Sequence, residues 1–175
     1  WQTLLSHAIS DPAELIRILD LPEQLTKAAI AANQSFALRV PAPYLKRIRP
    51  GDLNDPLLKQ ILPIGDELLQ VPGFVTDPLA EADHNPTEGL IHKYKGRVLV
   101  VLSGICAINC RYCFRRHFPY QDNKGSKSVW QTSLDYVAQH SEINEVILSG
   151  GDPLMAKDSE IEWLIHAIEQ IPHVK

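Results

Sequence analysis

Residues 97–118, "RVLVVLSGICAINCRYCFRRHF", decide how this chain reads. The first seven, "RVLVVLS" (97–103), are a short, continuous, branched apolar run. That is the pattern of a strand covered on both faces in a parallel sheet. All three cysteines of the 175-residue chain then fall within eight residues: Cys106, Cys110 and Cys113. Working outward, "SLDYVAQH" (133–140) reads as a helix and "EVILS" (145–149) as a second buried strand, ending in Gly150-Gly151. A further helix from about Asp158 carries Ile161, Leu164, Ile165 and Ile168 at helical spacing. The alternation β-loop-α-β-loop-α predicts a parallel α/β sheet or barrel. Sites in such folds lie at the carboxyl ends of strands, so the cysteines and the glycine pair are expected on one rim.

Upstream, residues 1–90 read as a helical annex and 91–175 as the α/β part. Asp11-Pro12 is a helix start, an N-cap followed by proline where its missing N–H costs nothing. Leu15, Ile18 and Leu19 are then expected on one buried face. "PEQLTKAAIAAN" (22–33) predicts a second helix, and the Asp-Pro start recurs at Asp55-Pro56 and Asp77-Pro78.

Apolar residues make up 45% and charged residues 22%, with a formal net charge of −4. This is an ordinary globular balance, with no basic footprint for nucleic acid or an anionic membrane. No apolar run approaches the roughly 20 residues of a membrane span, and there is no signal-peptide pattern. An odd number of close-set cysteines is a poor disulfide framework. It suits a metal site in a reducing compartment, by default the cytoplasm. The chain opens on Trp1 and closes on "QIPHVK", which reads as the onset of another strand, so we expect a piece of a longer protein.

Three thiols at C-x3-C-x2-C leave two kinds of metal chemistry open. A structural zinc site takes four ligands, and His117 is available to make Cys3His. A four-iron cluster held by three thiolates instead leaves one iron open to a small bidentate ligand, such as the amino and carboxylate groups of an amino acid. Arg111, Arg115 and Arg116 are expected to offset the charge of the site and favour thiolate. The glycine pair by itself reads as a tight strand-to-loop turn.

Together these residues resemble a known signature. C-x3-C-x-aromatic-C, with Tyr112 as the aromatic, and "SGGDP" (149–153) at the end of the next strand are similar to the motifs of the radical S-adenosylmethionine (SAM) superfamily. The resemblance implies a [4Fe-4S] cluster on Cys106, Cys110 and Cys113, and SAM contacts at Gly150, Gly151 and Asp152. It also implies a partial (β/α)6 TIM-like barrel, of which this chain holds the first βαβα units after the helical annex.

"FALRVP" (36–41), "GFVTDPL" (73–79), "HKYKGRVLVVLSGICAINCRYCFRRHF" (92–118) and "ILSGGDPLMAKD" (147–158) further resemble the lysine 2,3-aminomutase branch. Within it they resemble the bacterial enzymes that make (R)-β-lysine for elongation factor P. That resemblance implies an isomerase moving the α-amino group of L-lysine to C3, assisted by pyridoxal 5′-phosphate (PLP). Lys93 (an arginine in the family), Tyr94 and Arg97 match the PLP contacts, and Arg115 the group that binds the carboxylate of substrate lysine. The lysine that holds PLP and the carboxylates for the substrate ε-ammonium are expected beyond residue 175; Lys157 does not match by position. Implied partners are L-lysine, elongation factor P with its lysyl-transferring ligase, and an electron donor such as flavodoxin. The rival readings are a non-enzymatic Cys3His zinc or electron-transfer module, another amino acid mutase, and an activase that makes a glycyl radical.

Overall fold

The computed structural model describes residues 1–175. The helices α1 (Gln2–Ser6), α2 (Pro12–Ile18), α3 (Thr26–Ser35), α4 (Ala42–Leu45) and α5 (Pro56–Ile61) come first. Then follow β1 (Leu90–Tyr94), β2 (Arg97–Ser103), α6 (Lys127–Gln139), β3 (Glu145–Gly150) and α7 (Asp158–Glu169). The chain divides into two compact units. The first is Trp1–Val75 with Ala107–Arg116, and the second is Thr76–Cys106 with His117–Lys175.

In the first unit, Asp11 caps α2 by accepting from the Ala13 N–H at 2.9 Å. Leu15 and Leu19 are buried, but Ile18 is 40% exposed and Ile16 is buried instead. At about 100° per residue, Leu15, Leu19 and Ile16 span one continuous arc, and Ile18 falls about 60° outside it. Asp55 caps α5 in the same manner, accepting from Leu57 and Leu58 at 2.8 and 3.1 Å. Leu15, Leu38, Val40, Leu58 and Ile61 form the core that these short helices share.

The third Asp-Pro start, in the second unit, makes no α-helix. Asp77 does accept from the Glu81 and Ala82 N–H groups, both at 3.0 Å. Ala80, however, sits at φ +50°, a left-handed conformation that a helix does not continue through. Only a 3₁₀ turn at Ala82–His84 follows.

The sheet of the second unit has the order β1-β2-β3. β2 and β3 are parallel, with Val98 opposite Val146 and Val100 opposite Leu148, and α6 makes the crossover. β1 is antiparallel to β2, with Leu90 opposite Val100 and Tyr94 opposite Arg97, so the sheet is mixed where an all-parallel one was expected. The polar His92 and Lys93 concealed β1, whose buried residues are Leu90 and Ile91. β2 is covered on both faces, as its composition requires: Val98, Val100, Val101 and Leu102 are all buried. Trp130, Leu134 and Val137 of α6 and Leu164 of α7 join Val98, Val100 and Leu102 in one core. β3 lies at the sheet edge with half-buried side chains.

A buried amide pins the segment after the cysteines to the start of β1. Asn123 accepts from the Gly89 N–H at 2.9 Å and donates to the Pro119 carbonyl at 3.1 Å. Asn123→Ala leaves that buried N–H without its acceptor, an expected loss of about 1–3 kcal/mol in urea unfolding. An unchanged urea midpoint with an unchanged slope would show that Asn123 contributes nothing to stability.

Candidate functional site

In the second unit the ends of β2 and β3 lie in register, with Ser103 opposite Gly150. The chains stay joined beyond the strands. The Gly151 N–H donates to the Ser103 carbonyl at 2.7 Å and the Asp152 N–H to the Ile105 carbonyl at 2.9 Å. The residue just before Cys106 is therefore hydrogen-bonded to the residue just after the glycine pair.

The approach leaves no room for side chains. Gly150 has φ +118°, and a Cβ there would lie 2.2 Å from the Ser103 oxygen; one on Gly151 would lie 2.5 Å from the Ile105 oxygen. The protein's own backbone thus requires both glycines. Tyr120 donates its hydroxyl to the Gly150 carbonyl at 2.8 Å. Asp152 accepts from the Leu154 N–H at 3.0 Å and so caps the 3₁₀ turn Pro153–Met155.

In the first unit, Cys110 and Cys113 share one turn, the Cys113 N–H donating to the Cys110 carbonyl at 3.0 Å. The three cysteines are half-buried and none is in a disulfide. The segment around Cys110 has no regular structure and is held from outside. Asn109 donates its amide to the Ala37 carbonyl at 2.9 Å, and the Arg111 N–H donates to the Gln60 carbonyl at 2.8 Å.

Arg111 is buried and spans Glu67 with both arms, Nε to Oε1 at 3.0 Å and Nη2 to Oε2 at 2.6 Å. Its Nη1 donates to the Phe36 carbonyl at 2.7 Å. Arg116 reaches the same carboxylate, Nη2 to Oε2 at 2.7 Å. Both guanidinium carbons stand 5.0 Å from the Phe36 ring centre. Arg111 and Arg116 were expected to balance the thiols; the geometry commits them to Glu67. Burial pushes the Glu67 carboxyl up, but the hydrogen bonds from Arg111, Ile64 and Arg116 outweigh it and hold the group below its ordinary value. Nothing in "PIGDELLQ" marks Glu67 as more than a surface acid; the available signal was the unmatched pair of arginines flanking Cys113.

Tyr112 is 70% exposed. Its hydroxyl donates to Gln60 Oε1 at 3.4 Å, and the neighbouring Cys110 side chain pushes the phenol pKa up. Arg115 is buried, with its guanidinium carbon 5.0 Å from the Phe114 ring centre.

The structure divides the expected residues. Cys106 belongs to the second unit, Cys110 and Cys113 to the first. No three His, Cys, Asp or Glu side chains converge as a formed metal centre. His117 is exposed and lies in the second unit. Lys93, Tyr94 and Arg97 lie at the opposite end of β2 from Ser103, six residues or about 20 Å away. There Lys93 donates to the Leu79 carbonyl, Tyr94 is exposed, and Arg97 pairs with Glu145 at 3.0 Å.

Residues 100–175, which hold both strand ends, the cysteines and the glycine pair, match the radical SAM superfamily. The whole chain is 53% identical to the L-lysine 2,3-aminomutase of Haemophilus influenzae and 52% identical to that of Escherichia coli. It covers 52% and 51% of those proteins, so it spans about half the length of these curated relatives. It is also 33% identical to the glutamate 2,3-aminomutase of Clostridioides difficile over 99% of this chain and 41% of that one. No helix of the chain is long and apolar enough to cross a membrane.

Proposed function

We propose that this chain provides the cluster- and SAM-binding part of an L-lysine 2,3-aminomutase, which converts L-α-lysine to (R)-β-lysine. The observation that carries this reading is the backbone pairing of the Cys106 segment with the Gly150-Gly151-Asp152 turn. It sets the segment that carries Cys106 beside a strand end whose two glycines bear no side chains.

The donor chemistry fits. Cys106, Cys110 and Cys113 are three thiols outside any disulfide, and they would hold a [4Fe-4S] cluster with one iron left for SAM. Gly150 and Gly151 keep the strand end clear of side chains, which would let SAM approach closely, and Asp152 would add a carboxylate for its amino group. Lys93 and Arg97 offer cations for the phosphate of PLP, and Tyr94 an open ring. The exposed Arg97–Glu145 pair is worth only about 0–1 kcal/mol, so exchanging it for a phosphate costs little. Arg115, buried and cationic, would hold the carboxylate of the substrate. When bound, the cluster with SAM supplies a carbon-centred radical and PLP carries the migrating amino group. The chain's own task is to hold these groups and exclude water.

In this reading β3 continues into the further strands of a partial (β/α)6 barrel, and the remaining half of the protein brings the PLP lysine and the ε-ammonium carboxylates. A reducing, cytoplasmic setting, flavodoxin as the electron donor, and delivery of β-lysine to elongation factor P through its ligase complete the proposal.

The test uses full-length protein with dithionite, SAM, PLP and L-lysine, and measures β-lysine and 5′-deoxyadenosine separately. Both are expected. A colourless zinc protein that forms neither sinks the reading in favour of a Cys3His module. β-Glutamate from L-glutamate, with no β-lysine from lysine, would move the substrate to that of the Clostridioides relative.

A further inference from the structure

Glu67 belongs to no motif, yet it is the most heavily engaged carboxylate beside the cysteines. We propose that Glu67 is a positioning residue for the Cys110–Cys113 turn, acting through Arg111 and Arg116 and with Phe36 as the floor of the clamp. The inference rests on the cluster-binding reading only for its purpose; the clamp itself is read from the geometry of the first unit.

Arg111 follows Cys110 directly and Arg116 comes three residues after Cys113, so the two arginines bracket the turn. One carboxylate receives both, and a fourth hydrogen bond comes from the Ile64 N–H at 3.0 Å. The side chains are enclosed: relative exposure is 9% for Glu67, 6% for Arg111 and 16% for Arg116. Arg116 Nε is buried without a partner, which makes the carboxylate the group that compensates this guanidinium. Arg116 also donates to Ser35 Oγ at 3.3 Å and to the Arg111 carbonyl at 3.4 Å, tying the far side of the turn to the near side.

A segment without helix or sheet owes its shape to such side-chain bonds, and here two buried guanidinium groups over one ring would repel without the acid between them. Cys106 lies outside the clamp. Its segment is held in the second unit by the Ser103 and Ile105 carbonyls.

The clamp therefore predicts a pattern among the three thiols. In full-length, iron-free, reduced protein, the alkylation rate of each cysteine is followed by mass spectrometry. Glu67→Ala should speed Cys110 and Cys113 at least tenfold and leave Cys106 within about twofold. Glu67→Gln, which keeps one acceptor oxygen and the shape, should fall between. If Glu67→Ala does not fold, Arg111→Lys carries the test, because it keeps the charge but loses the two-armed geometry. A uniform rise at all three thiols means general loosening and overturns the proposal, as does no rise at all. Iron loading of the unsubstituted protein decides the cluster reading independently, so either idea can fail without the other.

Discussion

Alanine at Cys110 is expected to empty the protein of the iron that the proposed function places there. Anaerobically reconstituted full-length protein is expected to hold about four irons per chain, and Cys110→Ala less than a tenth of that. Residues 1–175 hold no fourth cysteine to take over the vacant position, and three thiolates are already the fewest that retain a cubane with one open iron. Cys110 is only half-buried and in no disulfide, so the fold should survive, as circular dichroism would verify. His117→Ala is the counterpart and should leave iron unchanged. Normal iron in the Cys110 variant removes that thiol from the ligand set. Loss of one bound zinc on His117→Ala would instead establish the Cys3His site.

The second large effect comes from one methyl group. Gly151→Ala places a Cβ 2.5 Å from the Ile105 oxygen and 2.7 Å from its carbonyl carbon. The obstacle is backbone, so no side-chain rotation relieves it and one of the two segments must move. Overpacking of this kind costs about 1–3 kcal/mol. Either movement shifts the segment that carries Cys106 relative to the glycine turn. SAM binding and iron content are therefore expected to fall together, read by equilibrium dialysis and metal analysis. Read from sequence as a glycine kept small for a cofactor, Gly151 could lose SAM and spare the cluster. That outcome would mean that Ile105 accommodates the methyl and that the space serves the ligand alone.

Much of this was legible because the governing physics is local. The branched run at 97–103 allowed no other assignment, since a strand so apolar has to be covered twice, and Val98, Val100, Val101 and Leu102 are buried accordingly. Asp11 and Asp55 announced their helices because capping involves only neighbouring N–H groups. Asp77 carried the same signal and produced none, because a single left-handed residue, Ala80, ended the helix before it began. β1 was hidden because His92 and Lys93 interrupt its alternation, and its pairing to β2 is visible only once the chain has turned at Lys95-Gly96. The role of Glu67 was out of reach for another reason. Its partners lie 44 and 49 residues away, and no periodicity encodes a contact of that span.

β2 also acts as a ruler. Its seven residues fix the interval between the cationic hairpin at Arg97 and the thiol segment that begins beyond Ser103. Side chains along a strand alternate with a period of two, so a one-residue insertion between Val98 and Leu102 would put those two on opposite faces, and one of them would leave the core shared with α6 and α7. Inserting two would return them to the same core but lengthen the interval by about 7 Å. Packing alone therefore tolerates strand lengths in steps of two. In the proposed function, with PLP at one end of β2 and the cluster beyond the other, a substrate that met both would tolerate only one length.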